Sequence, residues 1–413
     1  MLLYIHVPFC RVKCRYCAFH SMPLHMALAE DSDALRSYVN TLCMEMDFWG
    51  HRLGRAAISS VFIGGGTPSL LPPAMLARLL EHAASTFRLD QGAEISMEAN
   101  PESLTDPAHA AACLRAGVNR LSLGVQSLDD GLLRVLGRAH RAEDVLRAVH
   151  AAREAGCTNL NLDLMWALPG QDTRHWLATL DAVLRLRPEH ISAYALTLEE
   201  GTPLLRDAAQ GSLSLPDDNE QGRMFLEGAA LLERAGYMQY EISNFARPGL
   251  ACRHNQGYWE GRDYLGLGPA ATSTLHSRRW TNPDSRQRWA DAVRTGRLAD
   301  HAEHITPDIR LMEMIMLCLR TTAGLPLADF RQQAGFDFIE GHRSLIRTWQ
   351  EHGLVMLRNG RFSLTREGML LSNSIISDIF ERTEELLRRR TSFAQETAGT
   401  HSPHAEACRN ADR

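Results

Sequence analysis

The first twenty residues, MLLYIHVPFCRVKCRYCAFH (1–20), decide how the rest of the chain is read. Leu2 to Val7 is a short apolar run with the character of a buried strand. Cys10, Cys14 and Cys17 follow in a C-x3-C-x2-C pattern. Three thiols crowded onto one loop at a strand's mouth form a ligand set, because thiolates are soft donors for zinc and for iron–sulfur clusters. A structural zinc site takes four ligands, and His20 stands close enough in sequence to be the fourth. Zinc-finger spacing, however, pairs C-x2-C with a distant second pair. The other reading is a cubic iron–sulfur cluster with one iron left without a protein ligand, where a small molecule binds metal directly. Tyr16 would cover that cluster or stack on a cofactor, and Phe9 and Phe19 would keep the site dry.

Composition narrows the class. The 413 residues are 45% apolar and 23% charged, as expected for a soluble protein of two or three domains with a sizeable core. A net charge of −5 argues against nucleic acid, which demands a basic stripe. No apolar run reaches membrane-spanning length, and the start lacks the basic region of a signal peptide. Nine cysteines, an odd number with three clustered, do not read as a disulfide framework. Cys43, Cys113, Cys157 and Cys318 read as core residues. A reducing compartment follows, and the cytoplasm is the expected location.

Outward from the cysteine loop the chain alternates. Strands are expected over residues 2–7, 58–63, 94–99, 119–125, 160–165 and 190–196. Helices are expected between them, over 33–49, 73–87, 106–116, 142–155 and 173–186, with Gly117 and Gly156 as stops. Such alternation makes a parallel sheet with helices outside, open or closed. Cys10, Gly65, Glu98, Gln126 and Asp163 all fall at or near the C-terminal ends of strands, where a barrel would aim them at one mouth. The expected fold is α/β: a partial (β/α)6 TIM-type barrel over residues 1–200, then a smaller winged-helix-like α+β domain over 306–382. Residues 201–305 read as a barrel-associated segment with a helix over 219–235 and an irregular stretch dense in Tyr, Trp, His and Gly. Residues 383–413 read as a disordered polar tail.

These motifs resemble a known family. YIHVPFCRVKCRYCAF is similar to the cluster loop of radical S-adenosylmethionine (SAM) proteins. The likeness continues through IGGGTPSLL, MEANPESL, RLSLGVQSL and NLDLMWALPGQ, over about residues 2–380. Within that superfamily the series resembles the oxygen-independent coproporphyrinogen dehydrogenases, and among them the HemW-type haem chaperones. The resemblance implies a [4Fe–4S] cluster on Cys10, Cys14 and Cys17, with SAM on the open iron. It implies that Tyr4, the Gly64–Gly66 and Thr67 turn, and Glu98 meet the SAM amino acid or ribose. The glycines would let backbone carbonyls approach the SAM ammonium. The same turn could be a phosphate loop, but no Gly-Lys-Ser/Thr follows.

Gln126, Arg138, Asp163 and Ala195 match positions that line a second SAM site in the dehydrogenases. A lone Gln or Asp at a strand end can also cap the next helix. Two departures from the dehydrogenases matter: Phe19 stands where they carry a further cysteine, and the cluster loop begins already at residue 10. The H-N-x-x-Y-W motif at 254–259 matches one associated with haem binding, which implies His254 as an axial ligand. The alternative is a His, Tyr and Trp that pin a long loop against the barrel. Cys252 is a second, weaker candidate ligand. The expectation is a haem carrier whose partners are haem and recipient haemoproteins, membrane-associated respiratory proteins included. An anaerobic coproporphyrinogen III decarboxylase is its rival.

Overall fold

A computed structural model of the chain describes residues 1–24 and 32–399. It divides into two compact units, Met1–Thr306 and Pro307–Arg413. The first unit is built on β1 (Leu2–Val7), β2 (Ala57–Gly65), β3 (Arg88–Ala99), β4 (Arg120–Gln126), β5 (Leu160–Trp166) and β6 (His190–Ala195). Each pairs in parallel with the next. The helices between them are α1 (Ser32–Leu53), α2 (Pro73–Thr86), α3 (Pro107–Arg115), α4 (Asp130–Leu136), α5 (Ala142–Glu154) and α6 (Thr173–Arg185). The expected six-fold alternation is therefore present, with α4 in addition.

Strand side chains alternate between two faces, and these faces differ in chemistry. Leu3, Ile5, Val61, Ile63, Met97, Leu121, Leu123, Leu162, Leu164 and Ile191 are buried on one of them. Register sets Ser60, Ser96, Ser122, Asn161, Asp163 and Ser192 on the other. The helices cover the apolar face. The polar face lines the interior of a curved sheet, so the sequence alternates even though both faces are enclosed.

Residues 201–306 are more regular than their sequence suggested. After α7 (Pro203–Ala209) and α8 (Asp218–Arg234), β7 (Met238–Glu241) and β8 (Asn244–Ala246) pair antiparallel beyond β6. The aromatic stretch forms helix α9 (Arg253–Trp259), then β9 (Tyr264–Leu267), which lies parallel to β1. Next come β10 (Thr272–Leu275), β11 (Arg278–Thr281), α10 (Arg286–Thr295) and β12 (Glu303–His304). The result is one twelve-stranded mixed sheet in the order β12-β11-β10-β9-β1-β2-β3-β4-β5-β6-β8-β7.

The second unit runs α11 (Pro307–Leu319), β13 (Leu325–Pro326), α12 (Leu327–Ala334), α13 (Phe338–Gly341), α14 (Arg343–Glu351), β14 (Val355–Arg358) and β15 (Arg361–Leu364). β15 is the middle strand of an antiparallel three-stranded sheet, the order of a winged helix, and the hairpin turns at Asn359-Gly360. After α15 (Arg366–Leu370), α16 runs from Ser372 to Gly399. A disordered tail from residue 383 is thus corrected as far as 399, and 400–413 lie outside the described residues. Ile375, Ile376, Ile379 and Thr383 are buried, and Thr383 shares a 3.0 Å hydrogen bond with His342, so tertiary contact carries the helix past its apolar stripe.

Candidate functional site

The three cysteines lie on the loop that leaves β1. Phe9–Cys10 pairs with Met22–Pro23, and Cys17 donates its N–H to the Cys14 carbonyl at 3.3 Å, which folds the loop back on itself. The loop is fastened to the barrel. Gly66 N–H donates to Val7 O at 2.7 Å and Thr67 N–H to Phe9 O at 2.6 Å. Arg15 N–H bonds Leu136 O at 3.0 Å, and its guanidinium pairs with Asp207. Phe9 is buried edge-on against Tyr38, whose hydroxyl donates to His6 O at 2.5 Å.

The glycine run serves this docking. A methyl group on Gly65, which sits at φ +110°, would lie 2.6 Å from the His6 ring, and one on Gly66 would strike the Phe9 backbone. One on Gly64 would press on Phe62 and the Glu98 carboxyl. At Gly65 and Gly66 the space a side chain would take is filled by His6 and the cluster loop.

Burial pushes the Cys10 and Cys17 thiols up, as does the repulsion each would feel from Cys14; the Thr67 and Ser21 hydroxyls beside Cys10 oppose the shift. The sulfurs are therefore within electrostatic reach of one another. Among the described residues, no three His, Cys, Asp or Glu side chains converge on a single metal ion. One zinc would draw its thiolates to about 2.3 Å from a common centre, whereas a cubane presents a separate iron to each. The donor set, three thiols on one loop, fits a cubane that keeps one iron open. Arg138 stands over it: Nη1 reaches Cys14 Sγ at 3.4 Å, and Nη2 donates to Asn100 Oδ1 at 2.6 Å and Gly124 O at 2.7 Å. Thr67 Oγ1 accepts from Asn100 at 2.9 Å, tying the same corner together.

Tyr16 lies beside Cys14 and Cys17. It packs on Leu136, Met165, Leu168, Leu196 and Leu204, with Arg138 beside its hydroxyl. Phe19 is 71% exposed, so it does not keep the loop dry.

Beside the loop opens a cavity of about 330 Å³, lined by Tyr4, His6, Phe19, His20, Gly65, Glu98 and Tyr258 among others. His6 Nε2 lies 2.8 Å from the His20 carbonyl, which can only accept, so Nε2 carries the proton and Nδ1 accepts from Tyr4 OH at 3.0 Å. His20 Nε2 is buried without a partner. Glu98 Oε2 accepts from Gly65 N–H at 3.0 Å. Burial, then the nearby Asp163, push the Glu98 carboxyl up to about 7. Asp163 lies mid-strand and caps no helix. It accepts from Ser122 Oγ at 3.0 Å and Asn161 Nδ2 at 2.7 Å. Gln126 ends β4 with φ +65°, packed on Gly124 beside Arg138, and Ala195 is exposed at the end of β6. Tyr4, Gly65 and Glu98 thus share the cavity, while Gly66, Thr67 and Arg138 buttress the cysteine loop.

The base of the barrel is different. Helix α9 packs there, and a methyl on its Gly257 would collide with Leu2 at 2.7 Å. The N–H groups of Arg253 and His254 donate to Glu94 at 2.9 and 3.1 Å, and the Cys252 thiol bonds the same carboxylate at 3.3 Å. His254 is 1% exposed. Its Nδ1 is 2.9 Å from Ser60 Oγ, with the Phe62 ring and an edge-on Tyr258 against it. Burial and the Arg120 cation push its imidazolium down to about 3, so it stays neutral. Nε2 is buried and without a partner. A neutral imidazole is the ligating form, yet no macrocycle can reach an atom sealed this way. In this conformation His254 does not offer the expected axial ligand; it pins α9 to the barrel. Cys252 is equally buried.

A six-stranded parallel core carrying three loop cysteines beside a polar cavity defines a radical SAM protein. The family model for the radical SAM superfamily matches residues 4–183, and that for the HemN C-terminal domain matches 305–371. Within the superfamily the chain belongs to the HemW haem chaperone family. It is 34% identical to "Heme chaperone HemW" of Synechocystis, covering 92% of this chain and 97% of that one. It is 36% identical to its namesake in Escherichia coli, covering 81% and 86%. A mitochondrial "Radical S-adenosyl methionine domain-containing protein 1" of Bos taurus is 35% identical, covering 94% and 89%. Among solved structures, the coproporphyrinogen III oxidase HemN of Escherichia coli superposes with a TM-score of 0.75 at 25% identity, covering 92% and 89%. No helix among the described residues is long and apolar enough to cross a membrane.

Proposed function

We propose that this chain is a cytoplasmic haem carrier that holds a [4Fe–4S] cluster on Cys10, Cys14 and Cys17, binds SAM beside it, and passes haem to haemoproteins. The observation that carries the reading is the loop itself: three thiols beside a polar cavity, with Phe19, not a fourth thiol, exposed at its lip. The bound cluster would supply an open iron for the SAM amino and carboxylate groups. The chain's own residues do the rest. Glu98 accepts hydrogen bonds from the cationic end of SAM; Tyr4 and Gly65 wall the cavity around it. Arg138 donates to Cys14 Sγ and braces the loop. Asp163 lies on the polar face beyond Glu98, and Gln126 and Ala195 stand at the ends of β4 and β6, toward any second SAM.

The rival reading, oxidative decarboxylation of coproporphyrinogen III, is supported by the likeness to the HemN fold. One anaerobic experiment separates them. The cluster is reconstituted, then SAM, reductant and coproporphyrinogen III are added, and a parallel sample is titrated with haem. The carrier reading expects stoichiometric haem uptake and no protoporphyrinogen IX; turnover to protoporphyrinogen IX would overturn it.

A further inference from the structure

The H-N-x-x-Y-W helix is joined by an unbroken line of side-chain hydrogen bonds to Asp163, whose charge neighbours Glu98 of the cavity. Asn255 Nδ2 donates to Tyr240 OH at 3.1 Å. Tyr240 OH is 2.9 Å from His190 Nε2, and His190 Nδ1 is 2.7 Å from Asn161 Oδ1. Asn161 Nδ2 donates to Asp163 Oδ1 at 2.7 Å, and also to Ser122 Oγ at 2.6 Å and Ser192 Oγ at 3.0 Å. Apart from the half-buried Tyr240 and Asn255 at its start and Asp163 at its end, the line is fully buried.

Its polarity follows from Asn161. Asn161 Oδ1 can only accept, so His190 Nδ1 carries the proton and Nε2 accepts from Tyr240 OH, which in turn accepts from Asn255 Nδ2. His190 is then a neutral ring protonated at Nδ1, which donates to Asn161 Oδ1. Burial and the nearby Arg120 keep that ring from charging. With its oxygen so committed, Asn161 must turn its N–H₂ toward Asp163. Reversed at any link, the line would aim the Asn161 carbonyl at a carboxylate. Every donor thus points toward Asp163, and such chains reinforce one another.

We infer that Asn255 of the H-N-x-x-Y-W motif is a positioning residue for the cavity, acting through Tyr240, His190 and Asn161 to hold Asp163 as an oriented carboxylate. This rests on the reading of the cavity as a SAM site, and it gives the motif a task other than haem ligation. The charged and titratable groups facing Asp163 are Glu98 from β3, Arg120 from β4, and His190 and Tyr194 from β6.

The test uses the full-length, cluster-reconstituted protein with Asn255→Ala and Tyr240→Phe, the second removing one oxygen in case the first fails to fold. The first readout needs no ligand: nitrogen NMR of the His190 ring. Wild type is expected as the Nδ1–H tautomer with Nε2 accepting a hydrogen bond; Tyr240→Phe is expected to keep that tautomer and move the Nε2 resonance to that of an unbonded ring nitrogen, and Asn255→Ala to move it part of the way. The second readout is SAM affinity by equilibrium dialysis, in a double-mutant cycle with Asp163→Asn. Each relay variant is expected to weaken SAM about tenfold when the Asp163 carboxylate is present, since a hydrogen bond to a charged group is worth about 1.5 kcal/mol or more. Combined with Asp163→Asn, which removes that charge, the same relay variants are expected to have hardly any effect. An unchanged His190 Nε2 resonance, or strictly additive effects with Asp163→Asn, overturns the inference while leaving the SAM reading intact. Wild type that shows the expected tautomer but binds no SAM would sink the SAM reading instead.

Discussion

The two ends of one barrel carry the two motifs of this chain, and they are built differently. At the mouth, the cysteine loop leaves Cys10, Cys14 and Cys17 partly accessible, Phe19 exposed and His20 Nε2 without a partner. At the base, α9 is bonded through Glu94, Ser60, Tyr240 and Glu241, and His254 is sealed. Ends of the first kind await a ligand; ends of the second kind hold a fold together. Equal prominence of the two motifs in the sequence conceals this difference, because His254 has the chemistry of a haem ligand and the surroundings of a core residue.

The comparison breaks most sharply at Cys14. Cys14→Ser is expected to abolish the visible absorption of the reconstituted cluster while leaving the unfolding midpoint of the metal-free protein unchanged. A variant that keeps full iron and sulfide content would return the loop to a structural role. At the base the pattern should invert. His254→Ala removes a buried ring and strands the Ser60 hydroxyl, which costs about 2–4 kcal/mol. Urea unfolding should show that loss, with haem stoichiometry unaltered. Undiminished stability together with lost haem binding would mean that α9 opens and that His254 is a ligand after all.

The strand–helix alternation was legible because it is local: period-two apolar strands, glycine stops and proline starts are written within a few residues of one another. The cysteine loop was legible for the same reason. What escaped was set by tertiary contact. Helix α9 has seven residues with a glycine among them, so it carries no amphipathic stripe to read. The strands from β7 to β12 are four residues or fewer and exist by pairing with the barrel. That the glycine turn also packs on Phe9 and His6 escaped, because those neighbours meet it only in the fold. For the line from Asn255 to Asp163 a signal was present: Asn161 and Asp163 stand two apart in a strand otherwise apolar, a polar face inside an enclosed sheet.

The finest distinction within the mouth is charge, and Glu98 tests it. Its carboxyl sits at about 7 because burial, and then the Asp163 charge, disfavour ionisation more than the Gly65 N–H and Arg120 favour it. The sign follows: below about 7 Glu98 is a neutral acid, and only above it does a full negative charge face the cavity. A cationic ligand end should therefore bind the wild type more tightly as pH rises from about 6 to 7.5, below the point near 8 where an α-amino group itself begins to lose its proton. Glu98→Gln keeps a carbonyl oxygen for Gly65 but never ionises. It should match the wild type near pH 6 and fall about tenfold behind by pH 7.5, an effect of about one pK unit or ~1.4 kcal/mol. SAM binding followed by calorimetry across that window decides the matter. Parallel pH profiles for the two proteins would remove Glu98 from contact with the ligand's charge, leaving it only the backbone of Gly65 to hold.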